Sequence, residues 1–360
     1  MKLVNFVVAT LIFGSVAVAG PLEKAVIDNV SKNVILQTYA DLAARSTDML
    51  VAVKNLEAAR TQENLVKAQQ SWIAARIPWE ASESFLYGPV DSLGIDPMID
   101  TWPLSRIDLD SVLNSGQQIT TEYVRPLGVN LQGFHTLEYL LFGNGIDSNT
   151  KDIASFTQQQ FDYLIATATL QAEYTHKLHY AWTTQADPDD ASMPGYIDVI
   201  SKPGLDNPIY SSEQAVMFEY VNGILGILDE VANGKLSDPL GGDIAHANVE
   251  LVESPYSWNS LADFENNIRS VYNIYTGTYG THKGAGLKDV IAQTNPELAN
   301  RVEQRILQAM QKINNIGGAN NMPYNKAILN EQGRALATEA INDLNGLFQL
   351  VESEVLPLFQ

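Results

Sequence analysis

The chain has 360 residues, no cysteine and a formal net charge of −20, because its 42 aspartates and glutamates outnumber 22 lysines and arginines. The lack of cysteine excludes disulfides and thiolate metal sites. The negative charge argues against nucleic acid and anionic lipid head groups as partners, since both attract a basic surface. A chain of this length is expected to form two domains with a large buried core.

Residues 1–19 predict a secretory signal peptide. Lys2 provides the positive start, residues 6–18 are mostly apolar, and Ala17-Val18-Ala19 has the small-x-small pattern of a cleavage site. The apolar run is shorter than the roughly 20 residues of a membrane-spanning helix, and no second run in the sequence qualifies. We therefore expect an exported chain without a transmembrane segment, whose mature form begins near Gly20 or Pro21.

Apolar residues at steps of three and four predict long amphipathic helices in the first half of the chain. These helices cover Asp28 to Arg60, Gln62 to Phe85 and Phe156 to Trp182, and Pro78 is expected to kink or split the second. Residues 88–109 contain several prolines and glycines and predict an irregular segment. Irregular segments of this length inside a compact domain are often functional.

Residues 186–210 are rich in proline and glycine and predict a connection between two domains. The helices predicted after it are Glu213 to Asn233, Leu261 to Tyr275, Pro296 to Asn315 and Glu331 to Glu354. Ser260 is predicted to be an N-cap. Strand patterns are weak. The predicted fold is all-α, with two helical-bundle domains, residues 20–190 and 205–360, that carry irregular insertions.

The segment from Gly133 to Gly143, GFHTLEYLLFG, is the strongest candidate for a functional site. His135 and Glu138 stand three residues apart, so a helix places both on one face among leucines and phenylalanines. An imidazole and a carboxylate are costly to bury without a partner or a metal ion. The pair is therefore either part of a metal site or a core histidine whose hydrogen bonds are satisfied.

A second pair lies upstream, in residues 76–84, RIPWEASES. Glu80 and Glu83 are also three apart, so two helices would each present one pair, as in metal sites built inside helical bundles. Carboxylates combined with an imidazole suit iron, manganese or zinc. The alternative is an ion pair, because Arg76 lies one helical turn before Glu80.

The other histidines are interpreted as surface residues. His176-x-x-His179 fits a polar helix face, and His246-x-x-x-Glu250 fits a surface ion pair. His282 is expected to be a solvated residue in a glycine-rich loop.

Several segments of the chain resemble the imelysin family. The run GFHTLEYLLFG resembles its G-x-H-x-x-E motif, and residues 77–104, 229–241 and 252–277 resemble other blocks of the family. The resemblance implies a bacterial exported protein of two helical bundles, thought to arise by duplication, with its functional site in a cleft near the motif. The family is named for an insulin-cleaving peptidase, and it also contains iron-regulated proteins and a periplasmic component of ferrous iron uptake.

The resemblance also implies the residues of the site. The metal-ligand candidates are His135, Glu80, Glu83 and Asp100. Asp96 competes with Asp100 for the same role, and Glu138 is the second residue of the motif. The remaining candidates for the motif and the cleft wall are Arg76, Ser84, Tyr256, Ser257, Ser260 and Asp263.

Three functions are compatible with these residues, and the third is a ligand-binding or structural role in which the cleft binds a small ligand instead of a metal ion. The first is binding of a metal ion for iron acquisition, with zinc or calcium as alternatives to iron. The expected partners are other envelope uptake components, and the expected location is the bacterial periplasm or the cell surface, in association with the outer membrane. The second is a metallopeptidase, but the sequence has no His-Glu-x-x-His motif. One ion held by all the candidates requires Glu80 and His135 to lie within the span of two metal–ligand bonds.

Overall fold

The computed structural model describes residues 20–360, so the predicted signal peptide, residues 1–19, lies outside the described residues. The described chain is helical almost throughout, which confirms the all-α prediction. The strands found in this part are β1 (Thr278–Tyr279) and β2 (His282–Lys283), which pair as a short antiparallel hairpin. Among residues 20–360, no helix combines the length and the apolar character needed to cross a bilayer.

The described part of the first half, from residue 20 onward, contains nine α-helices. They are α1 (Pro21–Asn29), α2 (Leu36–Ala58), α3 (Gln62–Glu80), α4 (Pro89–Ser92), α5 (Ile95–Asp100), α6 (Arg106–Leu113), α7 (Thr121–Val124), α8 (Gly133–Leu141) and α9 (Gln158–Thr183). A π-helical segment (Val30–Ile35) joins α1 to α2. Short 3-10 turns are Glu83–Phe85, Arg125–Leu127, Val129–Leu131 and Ile153–Ser155.

The second half is also built from helices joined by short turns. Its helices are α10 (Tyr196–Ser201), α11 (Glu213–Asp229), α12 (Ser237–Leu240), α13 (Ser260–Thr276), α14 (Leu287–Thr294), α15 (Pro296–Asn314), α16 (Tyr324–Ala327) and α17 (Glu331–Leu350). The π-helical segments are Glu230–Leu236 and Val351–Val355, and the 3-10 turns are Ile244–His246, Val249–Leu251, Gly318–Asn320 and Leu356–Leu358.

The helix predicted over Gln62 to Phe85 is shorter in the structure. Helix α3 passes through Pro78 and ends at Glu80, and the chain continues into a separate 3-10 turn that begins at Glu83. Proline cannot donate a backbone hydrogen bond, so it weakens the last turn of a helix. Glu80 and Glu83 therefore do not lie on one continuous helix face, although both remain close to the site.

Helix packing brings the two halves of the chain together at α3. Helix α2 packs against α3 and α9, and α8 packs against α3 and α9. In the second half, α13 packs against α15 and also against α3. The core between these helices contains the fully buried rings of Trp72, Trp79 and Trp182. The domain boundaries expected at 190 and 205, and the duplication, stay predictions.

Candidate metal centre

A buried arginine lies at the centre of the candidate site. Arg76 on α3 is fully buried and forms ion pairs with Glu80, Asp100, Glu253 and Asp263. Its Nη2 lies 2.8 Å from Glu253 Oε1 and 3.4 Å from Asp263 Oδ2. Burial lowers the pKa of Arg76, but the four carboxylates more than offset this and hold it well above its ordinary value. Arg76 is therefore a permanent internal cation.

Asp100 connects Arg76 to the motif histidine. It ends α5, pairs with Arg76 and accepts a hydrogen bond of 2.5 Å from Trp79 Nε1. Burial raises the pKa of Asp100, but Arg76 and His135 lower it by a larger amount. The resulting pKa is about 2, so the carboxylate is ionised. Asp96, its competitor in the sequence, is exposed on the same helix and joins none of the close groups of ligand atoms among the described residues.

The motif histidine is almost completely buried. His135 Nδ1 lies 3.3 Å from Glu138 Oε2, and Nε2 lies 3.3 Å from Asp100 Oδ1 without the geometry of a hydrogen bond. The ring packs on Trp102, with 4.7 Å between the ring centroids. Burial lowers the pKa of His135, but the two carboxylates raise it to about 9. In the metal-free protein Nε2 therefore carries a proton, which a metal ion has to displace in order to bind this nitrogen.

Glu138 acts on the histidine instead of facing the cavity. Its Oε1 accepts hydrogen bonds of 2.7 Å from both the backbone N–H and the hydroxyl of Ser257, and its Oε2 faces His135 Nδ1. Both carboxylate oxygens are therefore engaged. A carboxylate in this position fixes the tautomer and the orientation of a ligand histidine. Because Ser257 lies in the second half of the chain, the contact also joins the two halves.

The backbone conformation and close packing at Gly133 explain why the motif has a glycine at this position. Gly133 has φ +82°, and a Cβ built at this position would lie 2.5 Å from the carbonyl oxygen of Ile99. Ile99 is the neighbour of Asp100, so the missing side chain lets α8 approach α5 closely. The glycine thus brings His135 within reach of Asp100.

Glu80 and Glu83 occupy different positions in the site. Glu80 is fully buried, and its Oε2 accepts a hydrogen bond of 2.5 Å from Asn267 Nδ2. Glu83 begins the 3-10 turn and lines the cavity described below. Burial raises the pKa of both carboxyls well above their usual range. Ser84 next to them is buried, and its backbone N–H donates to Ser270 Oγ at 3.0 Å, so it contributes to packing between the halves.

The second half contributes two charged residues that the sequence analysis missed. Glu253 Oε1 lies 2.8 Å from Arg76 Nη2, and its Oε2 lies 3.1 Å from Lys235 Nζ. Burial raises the pKa of Glu253, but Lys235 and Arg76 more than offset this and lower it. Both residues fall inside segments that carry the family resemblance, 252–277 and 229–241, and this was the signal available in the sequence.

The predicted N-cap at Ser260 is wrong. Helix α13 begins at Ser260 and its N-cap is Asn259. The Ser260 hydroxyl instead donates a hydrogen bond of 2.5 Å to the backbone carbonyl of Glu253. It therefore holds the segment that carries Glu253 against α13.

Asp263 and Tyr256 have different surroundings in the site. Asp263 is fully buried on α13 and accepts a hydrogen bond of 2.7 Å from Asn259 Nδ2, beside Arg76. Its pKa is raised, mainly by burial. Tyr256 packs against Trp102 and Tyr139, with ring centroids 6.5 and 5.2 Å apart, and belongs to an aromatic wall next to the histidine.

Three groups of residues among 20–360 have ligand atoms within 4.8 Å of one another: Asp100–His135–Glu253, Glu80–Glu253–Asp263 and Glu80–Glu83–Asp100. We call them the histidine triad, the inner triad and the outer triad. In this part of the chain no such group contains both Glu80 and His135. The structure thus places the four predicted ligands in two groups that share Asp100.

A cavity of about 500 Å³ is lined by members of these groups, among them Glu83, Asp100 and Glu253. Among the residues that line it are six carboxylates and one lysine: Glu83, Asp96, Asp100, Glu230, Asp238, Glu253 and Lys235. A cleft lined by one sign of charge raises the local concentration of counter-ions. Asp100 and Glu253 bring the histidine triad to the cavity wall. Its donor set of two carboxylates and one imidazole fits a divalent ion such as iron, manganese or zinc.

The other histidines lie away from this cavity. His176 Nε2 is 2.8 Å from Thr47 Oγ1 at the surface, and His282 is exposed on β2. The predicted pair of His246 and Glu250 is wrong. His246 Nδ1 lies 2.7 Å from Asp243 Oδ1, while Glu250 pairs with Arg106 at 2.7 Å. The 3-10 turn that places His246 beside Asp243 makes the closer carboxylate its partner.

The fold and the site define an all-α protein with a buried cluster of carboxylates and one histidine at an acidic cavity. The family model described as Imelysin matches residues 35–351, and the chain belongs to this family. Iron-regulated protein A of Synechococcus elongatus is 29% identical over 328 residues, which cover 91% of this chain and 84% of that protein.

Two solved structures share the fold. One, described as an iron-regulated protein A precursor from Parabacteroides distasonis, has a TM-score of 0.80 and 28% identity over 94% of this chain and 96% of that chain. The other, an imelysin-like protein from Psychrobacter arcticum, has a TM-score of 0.71 and 15% identity over 94% of this chain and 95% of that chain. The fold therefore extends over nearly the whole described chain.

Proposed function

We propose that this protein binds a metal ion, with iron as its cargo, and serves iron acquisition. The observation that carries the proposal is the histidine triad, whose ligand atoms lie within 4.8 Å of one another at the wall of the acidic cavity. The name of the Synechococcus relative, an iron-regulated protein, supports iron over zinc or calcium.

The chain's own residues have distinct tasks in this proposal. Asp100 and Glu253 offer ionised oxygens from the two halves of the chain, and His135 offers Nε2. Glu138 orients the imidazole, while Arg76 holds both ligand carboxylates in place. The carboxylates lining the cavity attract the cation from solution. Glu80 and Glu83 are further ligand candidates on the side of the outer triad.

We also propose that the protein works outside the cytoplasm, in the bacterial periplasm or at the cell surface, together with other envelope uptake components. The sequence pattern of residues 1–19 supports export, and the Parabacteroides relative is described as a precursor. The duplication of two bundle domains belongs to the same proposal.

The experiment is a calorimetric titration of the mature chain with Fe²⁺ under anaerobic conditions, and with Zn²⁺ and Ca²⁺ in parallel. We expect one ion for each chain, with binding lost in His135→Ala and retained in His246→Ala, a surface histidine that serves as the matched control. Equal binding by both variants would rule out the histidine triad as the site.

A peptide library offered to the same samples tests the alternative function. Metal binding without cleavage of any peptide supports the proposal. Cleavage that disappears with a chelator and in Glu138→Ala would instead make the protein a metallopeptidase, because it would depend both on the ion and on the carboxylate that orients His135.

A further inference from the structure

Lys235 is a charged residue of the cavity that metal binding by itself does not require. It lies in the π-helical segment Glu230–Leu236, and its side chain is 11% exposed. Its Nζ is 3.1 Å from Glu253 Oε2, 3.7 Å from Glu80 Oε2 and 3.9 Å from Glu230 Oε1. The ammonium therefore stands among carboxylates where a metal cation would be expected.

The two internal cations fill different parts of the cluster. Arg76 Nη2 contacts all three carboxylates of the inner triad, Glu80, Glu253 and Asp263. The guanidinium is fully buried and held by carboxylates from both halves of the chain, so an ion at the inner triad would have to displace a buried, ion-paired cation. The inner triad is thus closed to a metal ion.

Lys235 instead contacts one ligand in each of the two triads that reach the cavity. Glu253 belongs to the histidine triad and Glu80 belongs to the outer triad. Lysine carries a compact charge on a flexible stem of four carbons, so its head can move while its backbone stays in place. Lys235 also lines the cavity, which gives the head room to withdraw.

We propose that Lys235 is a tethered competitor of the incoming metal ion. In the metal-free protein its ammonium pairs with the carboxylate of Glu253 and lies beside Glu80, and it moves away from Glu253 when the ion binds to the histidine triad. The inference rests on the proposed function. Its physical basis is that two cations a few ångströms apart repel, while a buried carboxylate cluster without a counter-ion destabilises the fold.

Removing the charge of Lys235 therefore has two opposite effects. Metal binding becomes stronger, since the ion no longer displaces a resident cation, and the metal-free protein becomes less stable. A residue with a purely structural role would weaken both. Lys235→Arg keeps the charge, and Lys288→Met removes a different ion-paired lysine, which contacts Glu303 at 2.5 Å and does not line the cavity.

The test is a titration of the mature chain and of Lys235→Met, Lys235→Gln, Lys235→Arg and Lys288→Met with Mn²⁺, and with anaerobic Fe²⁺, at pH 7. We expect Lys235→Met and Lys235→Gln to bind about tenfold more tightly than the unmodified chain. The two control variants should stay within about twofold of it. Thermal unfolding provides the second measurement, in which Lys235→Met melts lower without metal and recovers when Mn²⁺ is added.

Circular dichroism identifies any variant that fails to fold, and Lys235→Gln replaces Lys235→Met in that case. If the unmodified chain binds the ion and both neutral variants bind it equally or more weakly, the competitor role is wrong while metal binding stands. If none of the proteins binds Mn²⁺ or Fe²⁺, the proposed function and this inference fall together.

Discussion

The carboxylate of Glu138 illustrates how one residue of a motif can support another. It makes three contacts, two with Ser257 and one with His135, and none with the cavity lining. The His-x-x-Glu spacing predicted that both side chains would share a face, and this is confirmed. Glu138 orients His135 instead of facing the cavity because it is held by Ser257, which is 119 residues away in the chain. Local spacing could not reveal this contact.

Replacing this carboxylate should weaken metal binding without removing a ligand. In Glu138→Gln the amide no longer accepts a charge-assisted hydrogen bond from Nδ1, and we expect metal affinity to fall by about 10- to 100-fold. Glu173→Gln, at a surface ion pair with Arg125, is the matched control. Calorimetry measures both, and an unchanged affinity in Glu138→Gln would contradict the positioning role.

The protonation of His135 should appear in the stability of the metal-free protein. Its folded pKa of about 9 lies above the value of roughly 6.5 in the unfolded chain, so protonation favours the folded state. This contribution is complete below about pH 6.5 and is lost as the pH rises through 9. Relative to His135→Gln, the unmodified chain should lose on the order of 2–3 kcal/mol across this range in urea denaturation. If the free energies of unfolding of the two proteins changed in parallel with pH, His135 would be neutral in the folded protein.

Glu253 and Lys235 show where sequence analysis reached its limit at this scale. A single acidic residue before Ser-Pro and a single lysine after a glycine form no local pattern, and their role comes from contacts with Arg76 and with each other across long separations. The glutamates of residues 76–84 and the motif histidine were found because pairs at helical spacing are visible in one sequence. Arg76 was recognised only as a partner of Glu80, whereas it pairs with four carboxylates.

At the level of single elements, the helices with regular apolar spacing were predicted well. The segment predicted over Phe156 to Trp182 is α9, Gln158–Thr183, and the segment predicted over Pro296 to Asn315 is α15, Pro296–Asn314. Boundaries near proline were less accurate, as at the end of α3, because the loss of one backbone donor competes with the apolar pattern. The irregular segment 88–109 contains α4, α5 and the start of α6, whose few turns are too short for a periodic signal.

The start of α8 should be intolerant of a side chain. In Gly133→Ala the new Cβ meets the Ile99 carbonyl at 2.5 Å and the φ of +82° is strained, so α8 must move away from α5. We expect a loss of about 1–3 kcal/mol in unfolding free energy and weaker metal binding, because His135 and Asp100 separate. Gly94→Ala is the control. Its φ is +59° and its Cβ would meet nothing within 4 Å, so it should cost about 1 kcal/mol and leave metal affinity unchanged.

The N-terminus of α9 offers a test of local stability away from the site. Thr157 caps the helix in a capping box with Gln160. Thr157→Ala should lower the free energy of unfolding by about 1 kcal/mol. Thr184→Ala, at the exposed other end of the same helix, should change it by less than about 0.5 kcal/mol. Chemical denaturation compares the two variants, provided that the free energy of unfolding depends equally on denaturant concentration in both. Equal losses of stability in the two variants would contradict the capping role.

At the scale of the whole molecule, the centre is shared by both halves of the chain. Asp100 and His135 come from the first half and Glu253 comes from the second, so an ion in the histidine triad would fasten one half to the other. The all-α class and the family were predicted from helical periodicity and motif blocks. The contacts between the two halves were not predicted from the sequence, because they depend on how α13 packs against α3.

Metal should therefore stabilise the entire fold. A ligand at 100 times its dissociation constant adds about 2.7 kcal/mol to the free energy of unfolding when only the folded state binds it. We expect this gain to disappear in Asp100→Asn and equally in Glu253→Gln, which come from opposite halves. Asp198→Asn, at a surface pair with Lys202, should retain it. Differential scanning calorimetry with and without Mn²⁺ measures the gain, and its survival in Glu253→Gln would place the ion in the first half alone.

The guanidinium at the centre has a consequence for dissecting the protein. A fragment of residues 20–190 would keep Arg76 with Glu80 and Asp100 but lose Glu253 and Asp263, while the complementary fragment would keep these two acids with Lys235 but without Arg76. Each piece would then bury an unbalanced set of charges, which costs several kcal/mol per ion. Separately produced pieces should be insoluble or unfolded, and co-expression should let them reconstitute one particle.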